Sequence, residues 1–391
     1  MALVSILVLC GSGYLYFAGQ EIDKAGTRLD VAVGEAAASP APRGESGLDG
    51  SDGSDGSDGP DGLDGTAQNL LLVGIDDRSN MTDREVAALH VGRDGGSMAT
   101  DTMMILHVPA DGSRATLISL PRDSYVSIPA PEGSYSGKLN SAYAEGFLED
   151  ERAHPKAGVN DWRVAGINLL LETVHALTGL TIDHYIQVSL LGFYRLSNAV
   201  GGVPVNLCAD VDDTVARNRA NGGSGGSGFK MSRGRHLLQG VTALEFVRQR
   251  HNFPDGREDL DRVERQQYFL TSAFRQVANV GVITKLNAIK NALQTSIVAD
   301  RGLHLFDLAR QMQDLSVDKI VGATIPTKDA QLGDGTSILA VDPAQVRRFV
   351  IKLVNPPAAS KPTGQPTASR PHESSETPEP SHTAIDAKCI Y

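Results

Sequence analysis

What most constrains this chain is a series of short, mostly apolar runs that do not alternate with polar residues. Asn69-Leu-Leu-Leu-Val-Gly-Ile75 ends in Asp76, Asp77 and Arg78, and Met103 to Val108 and Ala115 to Leu120 follow the same style. Such runs predict strands covered on both faces, with polar groups emerging at their ends. Pro-Ala-Asp-Gly between the second and third is a turn sequence, so these two should be adjacent strands. Val164, Ile167, Leu171, Val174 and Leu177 recur at helical spacing and stop at Gly179, which predicts a core-facing helix with a glycine cap. Strands are expected at Tyr185–Val188, Val203–Leu207 and Lys319–Ile325, with helices at Leu190–Val200 and along Leu260, Val263, Leu270, Phe274 and Val277. This alternation predicts an α/β fold, a layered α-β-α domain with a central mixed sheet, over residues 68–355.

The flanks read differently. Ala2 to Gly19 carries no charge and is about long enough to cross a bilayer, so residues 1–19 are expected to form a single transmembrane helix, an uncleaved anchor. Residues 20–67 form a Gly/Asp-rich linker, with Gly at every third position from Gly50 to Gly65, and residues 356–391 a Pro/Ser/Thr-rich tail; both are expected to be disordered. The net charge of −11 comes largely from the linker, which contributes Asp49, Asp52, Asp55, Asp58, Asp61 and Asp64. A basic groove can therefore lie within an acidic protein, although nucleic-acid binding is disfavoured. Three Cys exclude a disulfide scaffold; Cys208 and Cys389 either pair outside the cell or remain thiols. Gly222 to Gly228 (GGSGGSG) is expected to be a flexible surface insertion.

Charged residues gather where the predicted strands end. Asp76 and Asp101 flank two apolar strands, a placement that serves a turn or cap, or brings two carboxylates together on a hard cation such as Mg²⁺. Arg122 and Asp123 emerge at the carboxyl end of a buried strand, where Arg122 either clamps a phosphate or forms a surface ion pair. In Phe246-Val-Arg-Gln-Arg-His251, an extended backbone would put Arg248 and Arg250 on one face, converging on one anion. Asp259, Arg262, Arg265 and Gln266 are spaced to form one stripe of a helix. No Ser-His-Asp, zinc or redox arrangement stands out.

Together these residues resemble the LytR-CpsA-Psr family of cell-wall glycopolymer ligases. The matching stretches, in family order, are NLLLVGIDDR, TDTMMILHVPADG, LISLPRDSYVSIP, GKLNSAYAEGF, GINLLLETVHALTGLTIDHYIQVSLLGF, NAVGGVPVNL, LQGVTALEFVRQRH and DLDRVERQQYFL, spanning roughly residues 69 to 272. The resemblance implies Mg²⁺-dependent transfer of a glycopolymer from a polyprenyl-pyrophosphate carrier onto peptidoglycan. It implies a protein of the cell membrane, crossing once, with its catalytic domain outside the cytoplasm. It assigns Asp76 and Asp101 to the metal, and Arg78, Arg122, Lys138, Arg248, Arg250, Arg262 and Gln266 to the pyrophosphate. Asp259 would assist deprotonation of the acceptor, with Arg122, Arg248 and Arg250 acting on the transferring group. The helices beginning at Val164 and Leu190 would help line a lipid tunnel. Many members carry an arginine two residues before the strand aspartate, where this chain has Ala99. The same site with water as acceptor would make a phosphatase, and without turnover a lipid-pyrophosphate or wall-binding module.

Overall fold

The computed structural model describes residues 23–34, 67–78, 81–89, 96–110, 114–214, 226–249, 258–278, 286–294, 297–304, 320–355, 383–384 and 389–391. The main sheet runs, edge to edge, β1 (Thr27–Leu29), β12 (Ile297–Asp300), β7 (His184–Ser189), β2 (Gln68–Asp77), β3 (Gly96–Val108), β4 (Ala115–Ser119), β13 (Ile320–Thr324) and β16 (Thr383–Ala384). It is mixed, as expected: β2 is parallel to β7 but antiparallel to β3, and β4 is antiparallel to β3 but parallel to β13. A smaller sheet orders β14 (Lys328–Gln331), β15 (Ser337–Ala340), β5 (Ser124–Ala130) and β6 (Gly133–Lys138). Two ribbons pair β8 (Val203–Leu207) with β11 (Gly234–Leu238), and β9 (Val211–Asp212) with β10 (Lys230–Met231).

Helices cover both faces of the main sheet because its central strands are apolar on both. Successive side chains of a strand point to opposite sides. Leu71, Val73, Ile75, Met103 and Ile105 accordingly pack against α2 (Ala142–Ala153), α3 (Val159–Thr178) and α8 (Pro343–Val354). Leu70, Met104, Leu106 and Leu117 face the other way, toward α4 (Leu190–Ala199), α5 (Gly240–Arg248), α6 (Glu258–Ala278) and α7 (Leu286–Gln294). A short helix, α1 (Asp83–Ala88), follows β2 behind a Thr82/Glu85 capping box. The predicted glycine cap is present, since Gly179 closes α3 at φ 74°. Packing of α2 on α3 is close enough to demand glycine, for a Cβ on Gly166 would lie 2.6 Å from the Tyr143 carbonyl oxygen.

The flanks require corrections. Among the described residues no helix is long and apolar enough to cross a membrane, and the anchor expected at 1–19 lies outside them. Part of the segment expected to be linker is folded onto the domain: β1 pairs with β12, and Arg28 Nη1 donates to the carbonyls of Asp300 and Leu303 at 3.2 and 2.7 Å. The disordered tail expected over 356–391 is likewise corrected at its end. Cys208 and Cys389 form a disulfide, and the Ile390 amide donates to the Asn206 carbonyl at 2.8 Å beside β8. The end of the glycine-rich insertion is also held, through a 2.9 Å bond from the Ser227 amide to Asp213.

Candidate functional site

Two aspartates reach the rim of one cavity by different routes. Along β2, residue parity sends Asp76 to the side of Leu70 and Leu72, while Asp77 turns toward α3, where Arg163 lies 3.8 Å from it. Parity alone would direct Asp101 to the face of Met103 and Ile105. The ladder breaks there, however: Gly74 pairs with Thr102 and Ile75 with Thr100, leaving Asp101 as the extra residue of a bulge. A bulge re-aims a side chain, and Asp101 lines the same cavity as Asp76. Gly74 permits this close approach, as a Cβ there would sit 3.1 Å from Thr102 Cβ.

Beyond β4 the chain turns through Pro121, with the Ser124 amide bonded to the Pro121 carbonyl at 3.0 Å. The turn projects Arg122 toward β3, where Nη1 donates to Asp101 Oδ1 at 2.6 Å. Asp123 is a site residue absent from the assignment by resemblance. Its carboxylate accepts from Arg122 Nε at 3.2 Å and from Lys138 Nζ, at the end of β6, at 2.9 Å. Burial pushes the Asp123 carboxyl up, but the Lys138 hydrogen bond and the Arg122 and Lys138 charges outweigh it and hold the group below its usual range. Arg78 lies over Asp76, donating through Nε to Oδ1 at 2.8 Å and through Nη2 to Oδ2. The rim is thus a mesh of alternating charges.

The opposite wall comes from α5 and α6. The expected extended backbone at Arg248 is corrected: Arg248 is the last residue of α5, and the chain becomes extended only at Gln249. Ala243, Leu244 and Val247 are buried at helical spacing, and that apolar periodicity decides the local structure. Arg248 lines the cavity; Arg250 and the Asp259 side chain lie outside the described residues. On α6, Arg262 and Gln266 share a stripe with Leu270 and Ala273 along the cavity. Gln266 Nε2 reaches the Val247 carbonyl at 3.4 Å and links the two helices. Arg265 leaves the expected stripe, because three residues further along a helix it turns about 60° from Arg262, and its guanidinium packs over the Phe246 ring at 4.7 Å.

Behind the rim the cavity has a volume of about 460 Å³ and an apolar lining that includes Phe193 and Phe269, 4.8 Å apart between ring centroids. Its walls are β2, β7 and helices α4, α5 and α6. The expectation that α4 lines a tunnel agrees with this; α3 lies across the sheet and supplies packing instead. Such a space suits an amphiphile with an apolar tail and an anionic head. Asp76 and Asp101 offer hard carboxylate oxygens beside the guanidiniums of Arg78 and Arg122, a donor set that fits Mg²⁺, which takes one or two carboxylates and completes its shell with water or phosphate. Among the described residues no group of three or more His, Cys, Asp or Glu is placed to cage a metal alone.

The fold and the site together define a layered α/β domain whose helical core opens into a charged rim, and comparison narrows the class. The chain belongs to the LytR_cpsA_psr family, whose model matches residues 47–354. It is 38% identical over 302 residues to "Cell wall biosynthesis protein LcpA" of Corynebacterium glutamicum, covering 72% of this chain and 55% of that protein. It is 32% identical over 234 residues to "Polyisoprenyl-teichoic acid--peptidoglycan teichoic acid transferase TagU" of Oceanobacillus iheyensis, covering 60% of this chain and 59% of that protein. The chain thus spans between half and three fifths of the length of these curated relatives. The crystal structure of TagV from B. subtilis shares the fold, with a TM-score of 0.55 at 20% identity over 74% of this chain and 98% of that one.

Proposed function

We propose that this domain is a cell-wall glycopolymer phosphotransferase that acts outside the cytoplasmic membrane, held there by the apolar segment at residues 1–19. It takes a phosphate-linked glycan from a polyprenyl-pyrophosphate carrier and delivers it to a hydroxyl of peptidoglycan. The observation that carries the reading is the continuity of one cavity from an apolar interior at Phe193 and Phe269 to a rim bearing Asp76, Asp101, Arg248, Arg262 and Gln266. The names of the relatives accord with it.

Cleavage of a pyrophosphate ester depends on neutralising charge on the transferring phosphoryl group and on aligning the attacking oxygen. Arg122, Lys138, Arg248 and Arg262 supply fixed positive charge at the rim, joined on this reading by Arg250. Arginine's planar fork suits two phosphate oxygens at once. The acceptor hydroxyl attacks the phosphorus nearest the sugar, the bond to the bridging oxygen breaks, and polyprenyl phosphate leaves with that bonding pair. Asp259 takes the hydroxyl proton. Mg²⁺ held by Asp76 and Asp101 would withdraw charge from the phosphate oxygens.

The test uses the full chain in detergent micelles with a lipid-linked glycan donor and peptidoglycan, following both transfer and the release of glycan phosphate into solution. Transfer should be lost in the Arg248→Ala, Arg250→Ala double variant, and undiminished transfer would remove the assigned site. Release of free glycan phosphate by the wild type without transfer would replace the reading with a pyrophosphate-ester hydrolase.

A further inference from the structure

Each carboxylate assigned to the cation already has a guanidinium of its own chain. Arg78 donates to both oxygens of Asp76, and Arg122 donates to Asp101 at 2.6 Å. These ion pairs are neither surface decoration nor sealed core: the side chains are 14% and 18% exposed in the first pair and 20% and 39% in the second. Charge interactions at such depth are stronger than in bulk water, yet the groups retain access to solvent and ligand. A divalent cation and the two guanidiniums therefore compete for the same oxygens. A phosphate and the two carboxylates compete, in the same way, for the same guanidiniums. Whichever ligand enters first separates each pair at a cost, and the second ligand lowers that cost by taking up the group released.

We infer that the divalent cation and the pyrophosphate bind interdependently, through an exchange of partners in which Arg78 and Arg122 pass from Asp76 and Asp101 to phosphate oxygens. The inference rests on the assignment of Asp76 and Asp101 to a cation. Asp123 makes Arg122 suited to the exchange, because it holds Nε at 3.2 Å while Nη1 is the end engaged with Asp101. The guanidinium can change one partner without losing the other. Lys138, bound to the same Asp123 carboxylate at 2.9 Å, keeps that pivot in place. Interdependence of this kind couples the two binding equilibria reciprocally, commonly by about five- to 150-fold. In consequence, the site resists loading with the cation alone or with free phosphate alone.

The experiment measures Mn²⁺ binding to the full chain in detergent micelles by electron paramagnetic resonance of the free ion, first without phosphate. Arg122→Ala and Arg122→Gln, each checked by its melting temperature, should bind Mn²⁺ about tenfold more tightly than wild type, because a competing cation has gone. Asp101→Asn should bind it more weakly. With inorganic pyrophosphate added, wild type should gain more in Mn²⁺ affinity than either Arg122 variant; the Mn²⁺–pyrophosphate complex in solution is common to all samples. If both Arg122 variants bind Mn²⁺ no more tightly than wild type while Asp101→Asn weakens binding, the cation site stands and the exchange is overturned. If Asp101→Asn binds as wild type does, or wild type and the Arg122 variants bind none, the cation assignment fails and the inference with it.

Discussion

Arg265 donates from Nε to the main-chain oxygen of Tyr391 at 2.6 Å, although 126 residues separate them. Arg265 is 1% exposed and lies over the rings of Phe229 and Phe246, at 5.6 and 4.7 Å from their centroids. Burial disfavours its charged form, and the charges of Asp213 and Asp261 oppose that effect. The same helix presents Arg262 and Gln266 to the cavity. The segment Cys389–Tyr391 thus braces the back of the helix whose front forms the site.

Removing the brace should loosen the domain. Cys389→Ser is expected to lower the unfolding free energy by about 2–4 kcal/mol, the usual range for a disulfide closing a long loop. Urea denaturation with and without reductant checks this. Reductant should bring wild type down to the variant and leave the variant unchanged; equal stability without reductant would mean that the disulfide contributes nothing.

Asp123 sets an acid limb. Its folded pKa lies below the unfolded one, so its ion pairs add stability that is present above the unfolded value of about 3.9 and is lost as pH falls through the folded value. Asp123→Asn should therefore flatten the loss of stability that wild type shows as pH falls below the unfolded value. On the proposed function, it should also weaken inorganic pyrophosphate binding severalfold while Mn²⁺ binding stays near wild type. Denaturation at stepped pH and calorimetric titration measure the two effects, and a wild-type acid slope in the variant would dismiss the role.

Glycine is required between α2 and α3 but not everywhere. Gly166→Ala places a Cβ 2.6 Å from the Tyr143 carbonyl oxygen and should cost about 1–3 kcal/mol. Gly333→Ala meets nothing within 4 Å and should fall within about 0.5 kcal/mol of wild type. Urea midpoints for the two variants make the comparison.

Cavity shape should govern the lipid and not the head. Ala273→Phe adds a ring to the apolar wall, and on the proposed function it should raise KM for a polyprenyl-linked donor by about tenfold, roughly one misfit contact's worth. Inorganic pyrophosphate affinity should remain unchanged. Steady-state kinetics alongside titration separate the two, and an equal loss in both would place Ala273 in the head-group site.

Much of the scaffold was legible because apolar patterning is local. The runs at Asn69–Ile75, Met103–Val108 and Ala115–Leu120 could form little but buried strands, and Gly179 ended its helix as glycine does. Parity along β2 even separates Asp76 from Asp77. The facing of Asp101 was not legible, since it depends on a bulge created by pairing between strands. The backbone at Arg248 is helical because the buried spacing of Ala243, Leu244 and Val247 outweighs the alternation of Arg248 with Arg250, which suits a strand. Asp123 had a signal, an acidic residue next to Arg122, but its role depends on Lys138 arriving from the β5–β6 hairpin at 2.9 Å. Three residues at Thr27–Leu29 are too few to register as a strand without the edge of β12 beside them.

The cavity lies within one of the two helical layers, among the same side chains that form that layer's core. Atoms lining such a space lack neighbours on one side and forgo the dispersion energy that neighbours provide. On the proposed function, a lipid tail lodged between Phe193 and Ala273 would become a removable part of the protein's own interior. Loaded and discharged forms would then melt at different temperatures, and each turnover would complete and then dismantle part of a hydrophobic core.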